Sequence, residues 1–265
     1  MSRNTNETNL RLAGLFVLLV CGLIILSLLL KVLFVFRDSK FDGSHSFVVG
    51  FIGQSQTKLV DFNPQGATLS IINVSGVSDK NSLERTLGIP VDGVVEVRQN
   101  IQDKDISQTL LKSASPFSSS LEGLTFIDAL RLSVFAKTVQ AGAIYDRDFP
   151  PSLNDSQKAT VLSLSFTDPT VYQENQAIQI INASNVSGVG SRLAALLTNI
   201  GGSPILVTTA DNPQTASKII YYQQESYTVR KLSSYLNFPA EKSDKKGIAD
   251  VTIIIGTDKV DKRNF

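Results

Sequence analysis

The chain has 265 residues, which is room for one large or two small domains, and its 25 basic and 24 acidic side chains give a formal net charge of +1. This balance excludes a protein that binds nucleic acid through bulk positive charge, because such domains carry a strong basic excess. Charged residues make up 18% of the chain, below the usual quarter, and part of the deficit lies in one segment near the N-terminus.

The first predicted element is an apolar helix over residues 10–36, preceded by a short tail over residues 1–9. No charged residue lies between Arg11 and Lys31, a span of about the 20 residues that cross a bilayer. A cleaved signal peptide has a shorter apolar core and a small-x-small cleavage site, and a buried soluble helix is rarely apolar on every face. We therefore expect a single-pass transmembrane helix and a membrane partner.

The charged residues that flank this helix do not determine its orientation in the membrane. Arg3 and Arg11 precede it, whereas Lys31, Arg37 and Lys40 follow it. The positive-inside rule therefore gives no clear answer, and long domains are translocated largely regardless of flanking charge.

One cysteine and one histidine limit the chemistry of the rest of the chain. Cys21 lies inside the apolar helix, so we expect no disulfide, no cysteine-based zinc site and no cysteine nucleophile outside it. His45 ends a polar stretch containing glycine and serine, residues 37–45, which predicts a solvated spacer. We expect no metal site and no cofactor.

A mixed α/β domain is predicted over residues 46–166, and it opens with strands. Apolar and β-branched runs predict strands over residues 46–53, 57–63 and 67–74. The sequence NPQG between the second and third strands predicts a turn, in which Pro64 sets φ and Gly66 permits a positive φ.

Helices follow in the second half of this domain. The first begins at Ser78 or Asp79 and ends at Gly88, and residues 89–98 return to a strand. A second helix begins near Asp105, with Ile106, Leu110 and Leu111 on one face, and a longer third helix lies within residues 120–139. The buried stripe of the third is predicted to comprise Leu124, Ile127, Leu130, Leu132, Val134 and Phe135. Residues 159–166 are predicted to form a strand after a loop.

Beyond a polar, proline-containing segment, a second domain is predicted. Residues 167–176 are interpreted as an interdomain linker, and residues 177–258 alternate between strands and helices. The order is β-α-β-β-α-β, which we interpret as the split βαβ arrangement, and residues 259–265 form a tail. The fold class is therefore α/β (α+β), with a transmembrane helix and two domains.

The second domain resembles the LytR C-terminal domain, which often follows the catalytic unit in LytR-CpsA-Psr envelope proteins. The resemblance is carried by IQIINASNVSGVGSRLAALLTNIGG, by ASKIIYY and by ADVTIIIGTD, over residues 177–258. It implies a cell-envelope protein with its domains outside the bacterial cell membrane. The matching positions are Asn182, Gly188, Gly201, Ser217, Ile219, Tyr221, Asp250, Val251, Ile253, Gly256 and Asp258.

The first domain is similar to the catalytic unit of the same family, but it departs from that unit at two places. LVDFNPQGATLSII and LERTLGIPVDGVVEV resemble two of its segments. Where the family carries an Arg-Asp pair, residues 73–76 read NVSG, and where it carries an acid, residues 55–58 read SQTK. The resemblance implies that those groups hold a polyprenyl pyrophosphate and a divalent metal, so we expect no transferase activity.

The turn after the first strand of the second domain is the one candidate ligand surface. It lacks the third glycine of a dinucleotide fingerprint, because Leu193 stands there, and it lacks the lysine of a P-loop. Ser184, Asn185 and Ser187 are candidate helix N-caps, which gives the turn a structural explanation. The alternative is an anion- or glycan-binding surface formed by Asn182, Ser184, Ser187, Gly188 and Gly190.

Four further features have a structural interpretation, and three of them also have a functional alternative. YDRD at residues 145–148 is predicted to be a solvated turn, and a metal or phosphate site is the alternative. DKD at residues 103–105 is interpreted as a charged helix start. EKSDKKG at residues 241–247 is interpreted as a charged loop, and a lipid or polyanion contact is the alternative. Ring stacking on sugars is the alternative to core packing for the tyrosines, Tyr221, Tyr222 and Tyr227.

The sequence favours a membrane-anchored envelope protein that acts as a non-enzymatic binding or scaffolding module. Its expected partners are the membrane and cell-wall glycan or envelope proteins, with no nucleic acid. One alternative is a divergent transferase that attaches polyprenyl-linked polymers to the wall. A second is a membrane-bound regulator, which ranks last because the sequence has no helix-turn-helix and no basic stripe.

Overall fold

A computed structural model of the chain divides it into two compact units, Met1–Lys40 and Phe41–Phe265. Two features of the sequence, Ser78 and DKD at residues 103–105, lie outside the described residues. The structure describes residues 4–54, 56–77, 79–97, 106–114, 121–150, 152–245 and 247–260.

The first unit is one long helix, α1 (Asn4–Asp38), which includes the predicted apolar segment. Residues Ala13–Asp38 have a mean hydropathy of 3.0, and this is the one helix in the described part of the chain that is long and apolar enough to cross a membrane. Its apolar side chains are exposed, for example Leu15 and Leu18. A bilayer would cover this surface, so α1 is compatible with a single span.

The second unit contains two sheets, and the first has six strands in the order β5-β4-β1-β2-β3-β6. Strands β1, β2 and β3 form an antiparallel meander, whereas β4 pairs parallel to β1 and β6 pairs parallel to β3. The three meander strands lie where the sequence predicts them. The strands are β1 (Phe47–Ile52), β2 (Thr57–Asn63), β3 (Thr68–Val74), β4 (Gly93–Glu96), β5 (Leu121–Glu122) and β6 (Ile144–Asp148).

The turn between β2 and β3 differs from the prediction in one detail. The positive φ lies at Ala67 and not at Gly66. Gly66 instead donates its backbone N–H to the side chain of Asn63 at 3.0 Å. This hydrogen bond turns the chain just before Ala67, the residue with the positive φ.

Helices pack on both sides of the first sheet, and the alternation of its strands gives it two buried faces. On one face Val60 and Phe62 pack with α3 and α4, and on the other Leu59 and Ile72 pack with residues of α2 and α5. Of the helices after α1, α2 begins after Asp79 and ends at Gly88 as predicted. The helices are α2 (Lys80–Leu87), α3 (Ile106–Ser113), α4 (Phe126–Thr138), α5 (Asp155–Phe166) and α6 (Pro169–Glu174).

The long helix α4 begins later than predicted, and part of its predicted stripe is exposed. Thr125 and Asp128 form a capping box, so the helix begins at Phe126 and Leu124 precedes it. Ile127 and Leu132 are buried, but Leu130 and Val134 are 44% and 57% exposed. The prediction for these two residues was wrong, because they point away from the sheet.

Three segments predicted to be irregular or extended have different structures. Residues 159–166, predicted as a strand, belong to helix α5, because Asn154 and Gln157 form a capping box and Leu162 and Phe166 share one buried face. The turn predicted at residues 145–148 is instead the edge strand β6. The segment 167–176 contains α6, with Asp168 as its N-cap.

The second sheet has five strands in the order β10-β9-β11-β7-β8. The predicted β-α-β-β-α-β chain order is confirmed, with β10 added between α8 and the last strand. The strands are β7 (Ala177–Asn182), β8 (Ser203–Thr209), β9 (Lys218–Tyr221), β10 (Ala240–Lys242) and β11 (Val251–Ile255). The helices are α7 (Val189–Asn199), α8 (Tyr227–Leu236) and α9 (Thr257–Val260).

The split βαβ arrangement is not present in this sheet. Strands β7 and β8 pair directly and in parallel, so α7 connects neighbouring strands. Strand β11 pairs parallel to β7 on the other side and antiparallel to β9. The chain order predicts the elements but not their neighbours, because both arrangements use the same order.

A glycine next to the last strand provides a test of this packing. A Cβ atom at Gly256 would lie 2.5 Å from the carbonyl oxygen of Thr215 and 2.6 Å from the carbonyl carbon of Ala216, which leaves no room for it. We expect Gly256→Ala to lower the free energy of unfolding of residues 41–265 by about 2–4 kcal/mol, measured by urea denaturation.

The matched control is Gly142→Ala, because a Cβ atom there has nothing within 4 Å. We expect it to change the free energy of unfolding by less than about 0.5 kcal/mol. Equal stability of the two variants would contradict the close packing at Gly256.

Candidate functional site

The predicted ligand surface is a tight turn whose buried side chains bond to one another. Asn182 is 7% exposed and Ser184 is 4% exposed. The Asn182 Oδ1 atom accepts the backbone N–H of Ser184 at 3.1 Å and its hydroxyl at 2.6 Å, and Asn182 Nδ2 donates to the carbonyl of Val186 at 2.8 Å. Asn182 and Ser184 therefore shape the turn from inside, as Asx motifs do.

The N-cap of α7 is a glycine and not one of the predicted polar residues. Gly188 holds φ 80° and provides no side-chain hydrogen bond, so Ser184, Asn185 and Ser187 do not cap the helix. Gly190 packs against β8, where a Cβ atom would lie 2.9 Å from Val207 Cγ1. Ser187 and Gly188 are exposed, whereas Val189 and Gly190 at the start of α7 are buried, so Ser187 and Gly188 are the part of the predicted surface that faces solvent.

Several residues that carry the family resemblance hold the second sheet together. Asp258 Oδ1 accepts the backbone N–H of Ser217 at 3.0 Å and its hydroxyl at 2.6 Å, and Ser217 Oγ accepts the backbone N–H of Gly256 at 2.9 Å. Asp250 accepts the backbone N–H of Ala177 through Oδ2 at 3.1 Å. These residues have a structural role, which explains their place in the pattern without a ligand.

The two departures from the catalytic unit meet in space. Lys58, from the SQTK segment, donates through Nζ to Asn73 Oδ1, from the NVSG segment, at 2.6 Å. Asn73 Nδ2 donates to Asp146 Oδ1 at 2.8 Å and to Asp148 Oδ1 at 3.1 Å. We name these four residues the Lys58–Asp148 cluster: Lys58, Asn73, Asp146 and Asp148.

This cluster differs chemically from the machinery that the resemblance implies. It contains one ammonium group from Lys58, one neutral amide from Asn73 and two carboxylates from Asp146 and Asp148. Within the described part of the chain, no group of three or more His, Cys, Asp and Glu side chains could hold a metal ion.

The YDRD segment separates its charges because it forms a strand. Asp146 and Asp148 point to the face of the sheet that carries Asn73, whereas Arg147 points to the opposite face and donates to Ser165 Oγ of α5 at 2.9 Å. Because successive side chains of β6 point to opposite faces of the sheet, the two carboxylates and the guanidinium cannot bind one ligand together.

A polar cavity of about 170 Å³ lies on the Arg147 side of the sheet, between β2, β3, β6 and α5. Asp61 of β2 lines it and is 2% exposed. Burial raises the pKa of Asp61 to about 7, against the hydrogen bond from Ser46 Oγ and the positive charge of Lys231, which lower it. The cavity is lined by Asp61, Asn63, Thr68, Ser70, Tyr145, Arg147, Leu164, Ser165 and Thr167.

A buried ion pair joins the parts of the unit that carry the two sheets. Lys231 Nζ of α8 lies 2.6 Å from Asp168 Oδ2, and the side chains are 12% and 2% exposed. Lys231 Nζ also donates to the backbone carbonyl of Ser46, just before β1, at 3.3 Å. Burial lowers the pKa of Lys231, but the negative charges of Asp92 and Asp168 outweigh it and raise that pKa above its ordinary value.

Tyr227 and Glu174 also contribute to this contact between the parts that carry the two sheets, which we name the junction. Tyr227 Oη donates to Asp168 Oδ2 at 2.9 Å, and burial raises the pKa of Tyr227. Glu174 of α6 accepts the backbone N–H groups of Tyr227 and Thr228 at 2.9 and 2.8 Å. Burial alone would raise the pKa of Glu174, but the hydrogen bonds from Thr228, Tyr227 and Ser226 lower it below its ordinary value.

His45 belongs to an ordered contact, which corrects the prediction of a solvated spacer. Its ring stacks on Tyr227 with 4.0 Å between ring centroids, and its Nδ1 atom lies 2.5 Å from Asp42 Oδ2. The backbone N–H groups of Ser44 and His45 donate to Asp42 Oδ1 at 2.8 and 3.0 Å. Burial raises the pKa of Asp42, but these hydrogen bonds and the interaction with His45 lower it overall.

The other tyrosines and the charged loop have structural surroundings as well. Tyr221 packs against the core of the second sheet, and Tyr222 Oη lies 3.2 Å from Thr252 Oγ1. The EKSDKKG segment begins within β10, which includes Glu241, and Lys246 lies outside the described residues.

The junction residues were not identified from the sequence. Asp61 did carry a signal, because it is an acid at an inward position of the apolar strand LVDFN. Asp168 and Lys231 carried none, because a polar residue before a proline and a lysine in an amphipathic helix are common on surfaces.

Removing the buried lysine should destabilise the second unit. We expect Lys231→Met to lower the free energy of unfolding of residues 41–265 by about 3–5 kcal/mol, because Asp168 would lose its cation in a buried site. Lys218→Met is the matched control, because Lys218 pairs with Glu241 at 3.0 Å with side chains 32% and 54% exposed, and such pairs contribute at most about 1 kcal/mol. Equal losses in urea denaturation would contradict the role of Lys231.

The raised pKa of Asp61 predicts a pH dependence of stability. Its folded pKa of about 7 exceeds its ordinary value of 3.8, so its contribution is fully present below about pH 4 and is lost as pH rises through about 7. The variant Asp61→Asn has no titratable side chain at this position, so it serves as the reference. Relative to Asp61→Asn, the unmodified protein should lose up to about 4 kcal/mol of unfolding free energy between pH 4 and 7.5. A pH-independent difference in urea denaturation would contradict this burial.

Comparisons with known proteins bear on the C-terminal part of the chain. A family model described as "LytR cell envelope-related transcriptional attenuator" matches residues 175–258. No curated protein matches the chain.

Solved structures with weak similarity cover most of the chain. The crystal structure of B. subtilis TagT is 14% identical, covers 81% of this chain and 87% of its own, and has a TM-score of 0.18. B. subtilis TagU is 10% identical over 78% and 90%, with a TM-score of 0.18, and the Listeria innocua protein Lin1025 is 11% identical over 74% and 100%, with a TM-score of 0.20. Scores at this level establish neither a shared fold nor a shared activity. The identification of a LytR C-terminal domain over residues 177–258 is therefore confirmed by the family match to residues 175–258 alone.

Proposed function

We propose that this chain is a membrane-anchored cell-envelope protein that binds or scaffolds and does not catalyse group transfer. The apolar helix α1 supports the anchor, and the LytR C-terminal domain supports the envelope location. The proposed position is a single pass through the cell membrane, with the second unit outside the cytoplasm.

The observation that carries the non-enzymatic role is the hydrogen bond between Lys58 Nζ and Asn73 Oδ1 at 2.6 Å. The bond joins the SQTK and NVSG segments, which by the sequence resemblance stand where the catalytic unit of the family carries an acid and an Arg-Asp pair. Transfer of a phosphoryl-linked group needs positive charge on the leaving pyrophosphate and usually a metal. The amide of Asn73 provides no positive charge, and the ammonium of Lys58 opposes a bound metal.

The binding partner that we propose is cell-wall polymer, contacted at the exposed end of the turn before α7. Ser187 and Gly188 are exposed there, and the hydroxyl group of Ser187 can form hydrogen bonds with hydroxyl or anionic groups of a glycan. The rigid hydrogen bonding of Asn182 and Ser184 beneath them would fix the geometry of this surface.

Sedimentation with purified sacculi tests this proposal. We expect residues 41–265 to pellet with sacculi and Ser187→Asp to reduce the pelleted fraction at least fivefold, because it adds bulk and negative charge to the proposed surface. Ser156→Asp is the matched control, because Ser156 is also exposed but lies on α5. Failure of the unmodified protein to pellet would contradict wall binding.

A divergent transferase is the second candidate, favoured by the two carboxylates of Asp146 and Asp148 beside Asn73. The test is transfer of label from a polyprenyl-pyrophosphate-linked glycan to sacculi by the full chain. Transfer above background that is lost in Asp146→Asn would replace the binding proposal with this one. A membrane-bound regulator is the third candidate, and only the description of the matched family favours it.

A further inference from the structure

The polar cavity between β2, β3, β6 and α5 has unused hydrogen-bonding groups. The hydroxyl groups of Thr68, Ser70 and Tyr145 line it and form no hydrogen bond with any residue that the structure describes. Thr68 and Ser70 are half-buried and Tyr145 is 47% exposed, so these three hydroxyl groups are open to solvent and can bond to a polar ligand.

The cavity also contains a cation that is available to a ligand. Arg147 Nη1 donates to Ser165 Oγ at 2.9 Å, and Arg147 has no acidic partner among the residues described here. A guanidinium has five N–H donors in a planar fork that fits a carboxylate or a phosphate, so most of its donors are unused. The one acidic residue in the lining is Asp61, which lies at the buried end of the cavity.

An aromatic ring completes the lining. Tyr145 shares a face of β6 with Arg147, two residues away, and it is 47% exposed. An exposed tyrosine ring can stack on the apolar face of a sugar, while hydroxyl, amide and carboxyl groups bond to the hydroxyl groups at its edge. Asn63 and Asp61 supply the amide and the carboxyl group.

The volume limits the ligand to one small ring. A space of about 170 Å³ is below the range of about 300–1,000 Å³ that holds drug-sized ligands.

We propose that this cavity binds a single sugar ring that carries one anionic group. Arg147 binds the anionic group, Tyr145 packs on the ring, and Thr68, Ser70 and Asn63 bond to its hydroxyl groups. The cavity lies on the face of the sheet opposite the Lys58–Asp148 cluster, and it is distinct from the turn before α7. The inference therefore does not rest on the proposed wall binding.

Calorimetric titration of the full chain in detergent micelles tests the proposal with four probes: glucose 6-phosphate, glucuronate, glucose and inorganic phosphate. We expect glucose 6-phosphate or glucuronate to bind saturably and at least tenfold more tightly than glucose, and the stronger of the two identifies the anionic group. Arg147→Gln should abolish this tenfold preference and leave the affinity for glucose unchanged. Arg230→Gln is the matched control, because Arg230 is exposed and bonds to the backbone carbonyl of Glu225.

Three results would overturn the proposal. They are no saturable binding of any sugar probe, equal weakening by Arg147→Gln and Arg230→Gln, or binding of inorganic phosphate as tight as that of glucose 6-phosphate. If Arg147→Gln does not fold, Tyr145→Ala replaces it and should weaken both glucose and its anionic forms at least fivefold. Sedimentation of Arg147→Gln with sacculi should equal that of the unmodified protein, which separates this site from the proposed wall-binding surface.

Discussion

The arrangement of the second unit depends on the ion pair between Asp168 and Lys231. The pair is nearly excluded from water, and a buried charge is tolerated only when it is paired and hydrogen-bonded. Here each partner has further bonds: Asp168 accepts from Tyr227 and from the first turn of α6, while Lys231 reaches the backbone of Ser46. The pair therefore fixes α8, α6 and the start of β1 to one another.

Smaller contacts extend this junction on both sides. Asn199 at the end of α7 donates to the carbonyl of Gly88 at 3.0 Å, and Gln65 donates to Thr170 at 2.7 Å. Glu174 occupies the N-terminus of α8, so that helix end is satisfied from within the chain. A segment with the composition of a linker, residues 167–176, thus acts as the connection that holds both sheets in one unit.

Local sequence signals predicted the helices and strands better than the side-chain contacts between distant parts of the chain. The strands of the meander and the helices α2, α7 and α8 could be predicted, because alternation, caps and glycine stops act within a few residues. The sequence of helix α5 predicts a strand because its β-branched and apolar residues lack a clear helical stripe. The signal that marks the helix is the capping box of Asn154 and Gln157, which lies before the apolar residues. The candidate sites depend on contacts across the chain: Lys58 with Asn73, Asp61 with Ser46 and Lys231 with Asp168. No local pattern contains these pairs, so the sequence predicts candidate sites only as short segments, among them the turn at residues 182–190 and YDRD at residues 145–148.

Calorimetry of residues 41–265 tests most directly the claim that one ion pair joins the two sheets. If the claim is correct, the unmodified unit unfolds in a single transition with a calorimetric to van't Hoff enthalpy ratio of about 1, and Lys231→Met separates this into two transitions. Two independent transitions in the unmodified protein, unchanged in Lys231→Met, would show that the sheets unfold separately and would contradict the account.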